Sequence, residues 1–234
     1  MTGGRGAKEA SVGVWKSMQG QGSGRGLWQR RARSTWLVLV VGLVMAITST
    51  HAHASPADSF RAGRAAKGAS ARRAHFQAGI DSARALINAD SKSSEGIFWL
   101  AVNMGAEALE RGKMSALPVV PKMERLLLTL DQLDPKYEDA GAARVLGRLY
   151  HQAPAVISVG SSTNAKKFLE RALQLAPHHP GNQAFAADFL LQKGDEQRAK
   201  KLAAACLQTL KSAGARYGEE GKEWAKIAQD VIDD

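Results

Sequence analysis

The chain contains a single cysteine, Cys206. It cannot close an internal disulfide, so the fold needs no such staple even in an oxidising compartment. Long hydrophobic runs are also missing. The most apolar stretch, Trp36 to Ile47, spans twelve residues without a charge, whereas a membrane-spanning helix needs about 20. Period-2 alternation of apolar and polar residues is scarce, which argues against a sheet. No G-x-S-x-G elbow, H-E-x-x-H pair or glycine-rich phosphate loop occurs. The expectation is a protein that is not an enzyme and carries no metal or cofactor.

The short apolar stretch has a different use. Arg25, Arg30, Arg31 and Arg33 precede it, and Ala52-His53-Ala54 follows before Ser55. A basic segment, a short apolar segment and an A-x-A site make an export signal, expected to be cleaved after Ala54. No cysteine stands near that site, so lipid attachment there is not expected. Residues 1–54 form the signal with an extended basic lead, and 55–234 form one domain. The signal holds seven of the basic residues against Glu9, so it accounts for +6 of the formal +10 and leaves +4 on the remainder. A nucleic-acid binder needs a basic stripe on its working domain, and that small excess supplies none. The basic bias that persists (Arg61, Arg64, Lys67, Arg72, Arg73) fits a solvated helix surface at least as well as attraction to anionic lipid.

From residue 55 onward the sequence is rich in Ala, Leu, Lys, Glu and Gln, which favours helix. Apolar residues recur at three- and four-residue spacing. The pattern predicts eight or nine helices: a pair over 57–89 broken near Gly68-Ala69-Ser70, then 94 to about 111, 122–133, 137–152, 162–175, 181–193, 195–212 and 217–233. Short connections make successive helices antiparallel neighbours.

Residues 160–177 match the segment 34 positions further on. Gly160 meets Gly194, Ala165-Lys166-Lys167 meets Ala199-Lys200-Lys201, Ala172 meets Cys206, and Leu173-Gln174 meets Leu207-Gln208. Thirty-four residues is the tetratricopeptide (TPR) period, and the small residues Ala165 and Ala172 with Pro177 fall at its spacing. Small side chains let two helices cross closely, and proline ends the second helix of each pair. Cys206 reads as a small core residue at such a crossing. Ala71 and Ala78 keep the same seven-residue spacing, which marks the first half as a degenerate version. The predicted fold is all-α, with TPR-like antiparallel helix pairs stacked into a short α/α superhelix.

Two blocks add a resemblance. Ser94-Glu95-Gly96-Ile97-Phe98-Trp99-Leu100-Ala101-Val102-Asn103 resembles a signature of the TRAP transporter T-component (TatT) family. So do Leu133-Asp134-Pro135-x-Tyr137 and the run Gly141-x-x-Arg144-x-Leu146-Gly147-x-Leu149-Tyr150-x-x-Ala153-Pro154. The resemblance covers about residue 60 to the C-terminus. It implies a periplasmic TPR-like protein that docks the solute-binding P component of a TRAP transporter, can form trimers, and has a hydrophobic cleft for a small ligand, apolar or an organic acid. Two departures stand out: the anchoring cysteine of many relatives is absent, and the stretch from Ala155 to Ser162 is more apolar than the usual acidic turn. A carrier of a hydrophobic molecule, or an envelope assembly scaffold without a transport role, is the alternative.

The candidate ligand- or partner-binding residues are Trp99, Asn103, Arg144 and Tyr150. Trp99 belongs to a core stripe with Phe98 and Val102, or lines a concave groove. Asn103 bridges helices, or lines that groove. Arg144 pairs with Asp134 or Glu95, or meets an anionic group of a partner. Tyr150 forms a packed cap or an interface. Trp224 is expected to pin the terminal helix. His75 and His151 are expected on helix surfaces, and the His178-His179 turn is not expected to chelate a metal.

Overall fold

The computed structural model describes residues 54–155 and 158–234. The expected export signal lies outside them, apart from Ala54. Ten helices occur among the described residues, and no strand does. They are α1 (Pro56–Ala65), α2 (Ala69–Ala89), α3 (Ser94–Glu110), α4 (Lys113–Ala116), α5 (Val120–Leu133), α6 (Tyr137–Gln152), α7 (Ser162–Leu175), α8 (Pro180–Gln192), α9 (Glu196–Ala213) and α10 (Gly218–Asp233). The one-turn α4 is the element that periodicity did not predict. Four residues are too few to show a period.

Local chemistry sets the boundaries. Side-chain oxygens of Ser55, Ser93, Ser161 and Asp195 accept from backbone N–H groups in the first turns of α1, α3, α7 and α9. Such caps satisfy donors that have no partner within the helix. Gly112 and Gly194 take positive φ, 115° and 81°, where the chain leaves α3 and α8. Pro135, Pro154 and Pro177 follow the ends of α5, α6 and α7. Among the described residues no helix is long and apolar enough to cross a membrane.

Four antiparallel pairs stack: α1 with α2, α3 with α5, α6 with α7, and α8 with α9; α10 caps the last. Close crossings need small residues. Ala165 and Ala172 on α7 and Ala199 and Cys206 on α9 are all fully buried, as the repeat predicts. A Cβ at Gly147 of α6 would lie 2.6 Å from Cγ of Leu169 on α7.

In the first half the register differs from expectation. Ala71 and Ala78 are exposed. The buried seven-residue pair of α2 is Phe76 and Ala83. Here the small residue sits on the first helix of the pair: a Cβ at Gly63 would meet the Phe76 ring at 2.4 Å, and one at Gly105 would meet Met123 at 2.6 Å. As at Gly147 and Leu169, the large side chain stands on the second helix and the glycine of the first makes the room.

The stack winds tightly enough to close. The first helices of the pairs, α1, α3, α6 and α8, form an inner row, and α10 completes it by packing on both α8 and α1. Nη2 of Arg64 on α1 donates to Oε2 of Glu223 on α10 at 2.5 Å across the seam. The outer row is α2, α5, α7 and α9.

Candidate functional site

A central cavity of about 1740 Å³ runs through the inner row. Its walls carry Phe60 of α1, Phe98, Trp99 and Val102 of α3, Val120 and Met123 of α5, and Phe185 of α8. Aromatic rings meet at its head, with Trp99 centroids 5.5 Å from Phe60 and 5.0 Å from Phe98. The Arg61 guanidinium lies 5.7 Å from the Trp99 ring centroid, and that of Arg148 lies 4.8 Å from the Phe185 centroid. Cations over ring faces are attracted by the ring quadrupole.

One end of the cavity is polar. Arg144 reaches it from α6, with Glu138 and Asp139 at the start of that helix, His179 before α8, Tyr217 before α10 and Glu220 on α10. Arg144 is only 6% exposed. Its Nη1 donates to the carbonyl oxygens of Glu138 (3.0 Å) and Asp139 (3.2 Å) and to Oδ1 of Asn182 (3.2 Å). These replace the expected partners Asp134 and Glu95. The reason is backbone geometry: Glu138, Asp139 and Ala140 all have positive φ, 49°, 52° and 64°. This left-handed turn of three L-residues aims two carbonyls at the guanidinium. Each such residue costs about 1–2 kcal/mol, so the turn persists only because its surroundings hold it. Nδ2 of Asn182 also donates to the Asp139 carbonyl, at 3.1 Å.

Burial shifts the titrating groups here. It lowers the pKa of Arg144, though guanidinium stays charged. It raises that of Glu220, against the pull of Arg144, Arg64 and Arg61. His179 is driven down to about 3, first by burial and then by Arg144 and Arg216. It is therefore neutral, and its Nδ1 accepts from Gly181 N–H at 3.1 Å, capping α8. The Tyr137 phenol is pushed up to about 12 by burial, with a side-chain hydrogen bond from Trp99 opposing.

The four candidates separate. Trp99 and Arg144 line the cavity. Asn103 and Tyr150 point outward, between rows. Asn103 is fully buried, and its Nδ2 donates to the carbonyls of Pro56 (3.1 Å) and Trp99 (2.8 Å), which bridges α1 and α3. Its Oδ1 has no hydrogen-bond partner and faces Gly79, where a Cβ would lie 2.4 Å away. Tyr150 stacks on Phe168 at 5.6 Å and donates to Oε1 of Glu124 at 2.6 Å. Its pKa is raised, chiefly by burial and then by Glu124.

Other residues complete the picture. Trp224 lies over Gly181 and contacts His179 and Tyr217 edge-on, at 5.1 and 5.4 Å, which pins α10 to α8. His75 is exposed. The side chain of His151, expected on a surface, is only 8% exposed; it packs edge-on to Phe189 at 5.3 Å and meets Asp188 at 3.5 Å. Asp188 also accepts from Arg148. Its carboxyl lies at about 2, held down by His151 and Arg148 against burial. Sequence reasoning missed Glu220 and His179 as cavity residues. Glu220 stands among other charges in α10, with nothing in the spacing to mark it. His179 before Pro180 could have been read as a helix cap.

Chemically, the site offers apolar walls with a guanidinium, a carboxyl and cation-faced rings at its edges. Such a cavity suits a small amphipathic molecule. Among the described residues no cluster of His, Cys, Asp and Glu could hold a metal ion.

No curated protein matches the chain. The family model of the TRAP transporter T-component matches residues 60–213, more than half of the chain and all four helix pairs from within α1 to the end of α9. The chain belongs to the TRAP transporter T-component family.

Proposed function

We propose that this protein is an exported, periplasmic adaptor of a TRAP-type uptake system that docks the solute-binding component and holds a small ligand inside its helical ring. Family membership supports the association with TRAP transport. The observation that carries the ligand part is the open-mouthed cavity, with Trp99 on its apolar wall and Arg144 at its polar end. The apolar wall takes up the body of an amphipathic molecule, and the Arg144 and Glu220 end orients its polar group. Docking is by surface complementarity on a rigid scaffold. Asn103 and Tyr150 support the wall from behind.

Two measurements test the reading. Co-purification of the protein with the solute-binding subunit from its own gene neighbourhood supports docking. Native mass spectrometry then shows a bound small molecule that is lost on Trp99→Ala. A gene neighbourhood without TRAP subunits removes the transport role. A protein that stays bare after exposure to organic acids and lipids removes the ligand role.

A further inference from the structure

Lys67, Lys113 and Lys193 follow the C-terminal ends of α1, α3 and α8. These inner helices run parallel, because each is separated from the next by an antiparallel outer helix. The three lysines therefore stand at one end of the helix ring, with Lys113 at the cavity itself. All three are exposed. The carboxylates near this rim are already engaged: Glu110 with Arg72, Glu107 with Arg111, Asp188 with Arg148, and Glu223 with Arg64. Asp195 pairs with Arg198 and Asp230 with Lys226. Among the described residues of this rim Glu196 and, at the end of α10, Asp233 and Asp234 remain as acids without a cation, while exposed Arg73 and Lys122 near the starts of α2 and α5 add to the three lysines. Among the described residues Lys193 Nζ donates to Oγ of Ser162 at 2.9 Å and lies 5.7 Å from the Phe189 ring centroid, and no carboxylate pairs with it.

Between these cations two apolar side chains stand in water. Leu109, in the last turn of α3, is 60% exposed, and Met114, on α4, is 75% exposed. Both lie at the mouth of the cavity together with Lys113. Sequence periodicity gives no reason for α4, yet its single turn between Gly112 and Pro118 holds Met114 outward.

We infer that this rim is a contact face for an anionic lipid surface. Met114 and Leu109 enter the headgroup region, and Lys67, Lys113 and Lys193 lie at phosphate level around them. Flexible apolar side chains flanked by lysines are suited to shallow insertion, because the lysine stems snorkel while their charges stay at the phosphates. Anionic headgroups supply the complementary charge. A protein partner is the poorer match. Two isolated tips on a ring edge present little of the roughly 800 Å² that each side of a stable protein interface buries. A fluid surface accommodates cations spread around a ring. The cavity mouth then opens onto lipid, and an apolar ligand can enter without crossing water. The contact rests on the rim alone and stands or falls independently of the docking partner.

The test uses the full chain carrying a bimane fluorophore on M114C, or on K92C in the α2–α3 turn at the opposite rim. Cys206 does not compete, being fully buried with its thiol pushed up to about 12. The probes are vesicles of phosphatidylcholine with phosphatidylglycerol, doped with spin-labelled lipid, and vesicles of phosphatidylcholine alone. On anionic vesicles the M114C label shifts to the blue and is quenched, and the K92C label does neither. Adding K67Q, K113Q and K193Q weakens the M114C response by ~100-fold in lipid concentration, as the loss of three charges at about 1 kcal/mol each requires. A label on M114C that stays in water, or labels that respond alike at both positions, overturns the inference. So does shielding of M114C by the solute-binding protein and not by lipid, which assigns the rim to a protein partner.

Discussion

Nη1 of Arg144 on α6 donates to Oδ1 of Asn182 on α8 at 3.2 Å, and both side chains bind the carbonyl oxygen of Asp139. Two helices of the inner row thus grip one turn of left-handed backbone. Arg144→Met removes the donor to the Glu138 carbonyl and to Asn182 Oδ1, while the Asp139 carbonyl keeps Asn182 Nδ2. Each unsatisfied buried group costs about 1–3 kcal/mol. The variant is expected to lose about 3 kcal/mol, a fall of ~6–12 °C in melting temperature for a domain of this size. A thermal melt with unchanged Tm removes the structural role assigned to the guanidinium.

The turn itself predicts a gain. Asp139 has φ 52°, and no hydrogen bond to its carboxylate constrains the side chain among the described residues. Glycine takes that conformation without strain. Asp139→Gly should therefore be about 1 kcal/mol more stable than Asp139→Ala, since both lose the carboxylate and only alanine keeps the Cβ penalty. Chemical denaturation of the pair isolates the backbone effect. Equal midpoints contradict the left-handed geometry.

His179 sets a pH dependence. Its folded pKa of about 3 lies below the ordinary 6.5. Between those values the unfolded chain binds more protons, so stability is full above about pH 6.5 and falls as pH drops toward 3. The slope is at most about 1.4 kcal/mol per pH unit. Glu220, raised above its usual 4.5, acts in the opposite sense and blunts the slope from there upward. Asp188, at about 2, adds a further loss only below about 3.8. His179→Asn keeps a helix-capping side chain without the titration. Its Tm should vary less than the native Tm between pH 6 and 4, and parallel curves reject the assignment.

Gly147 offers a contest between two effects. Alanine is favoured over glycine inside a helix by about 0.8–1.0 kcal/mol. A Cβ there would lie 2.6 Å from Cγ of Leu169 and 3.0 Å from its backbone nitrogen. Side chain and backbone must both yield, and overpacking of this kind costs about 1–3 kcal/mol. Gly147→Ala should destabilise in spite of its helix propensity. A stabilised variant means that α6 and α7 cross less closely than described.

These cases show which parts of the structure can be read from sequence. Helix limits were legible because serine caps, prolines and glycines act locally. The 34-residue match located the close crossings of α7 and α9 because Ala165, Ala172 and Cys206 are small residues amid larger ones. The same spacing misled at Ala71 and Ala78, since an alanine-rich helix repeats alanine on its exposed face too. Trp99 and Arg144 were found through motif blocks, but not the partners of Arg144. A left-handed turn built from Glu138, Asp139 and Ala140 contains no glycine to announce it. The closing of the ring depends on small rotations summed over four helix pairs, and no single residue encodes that.

Cys206 gives a test of the repeat alignment itself. It occupies on α9 the place of Ala172 on α7, is fully buried, and lies with Sγ 3.9 Å from the Trp224 carbonyl beneath α10. Burial pushes its thiol up to about 12. Since the thiolate is the reactive form, the folded protein should resist a thiol reagent at pH 8 for as long as it stays folded. Labelling should then follow the rate at which α9 and α10 separate. Cys206→Ala should cost little, about 1 kcal/mol or less, because alanine holds the equivalent position in the preceding pair. Cys206→Leu adds volume at a crossing and should cost about 1–3 kcal/mol. Rapid stoichiometric labelling of the native protein, or a leucine variant as stable as the alanine one, breaks the equivalence of the two crossings.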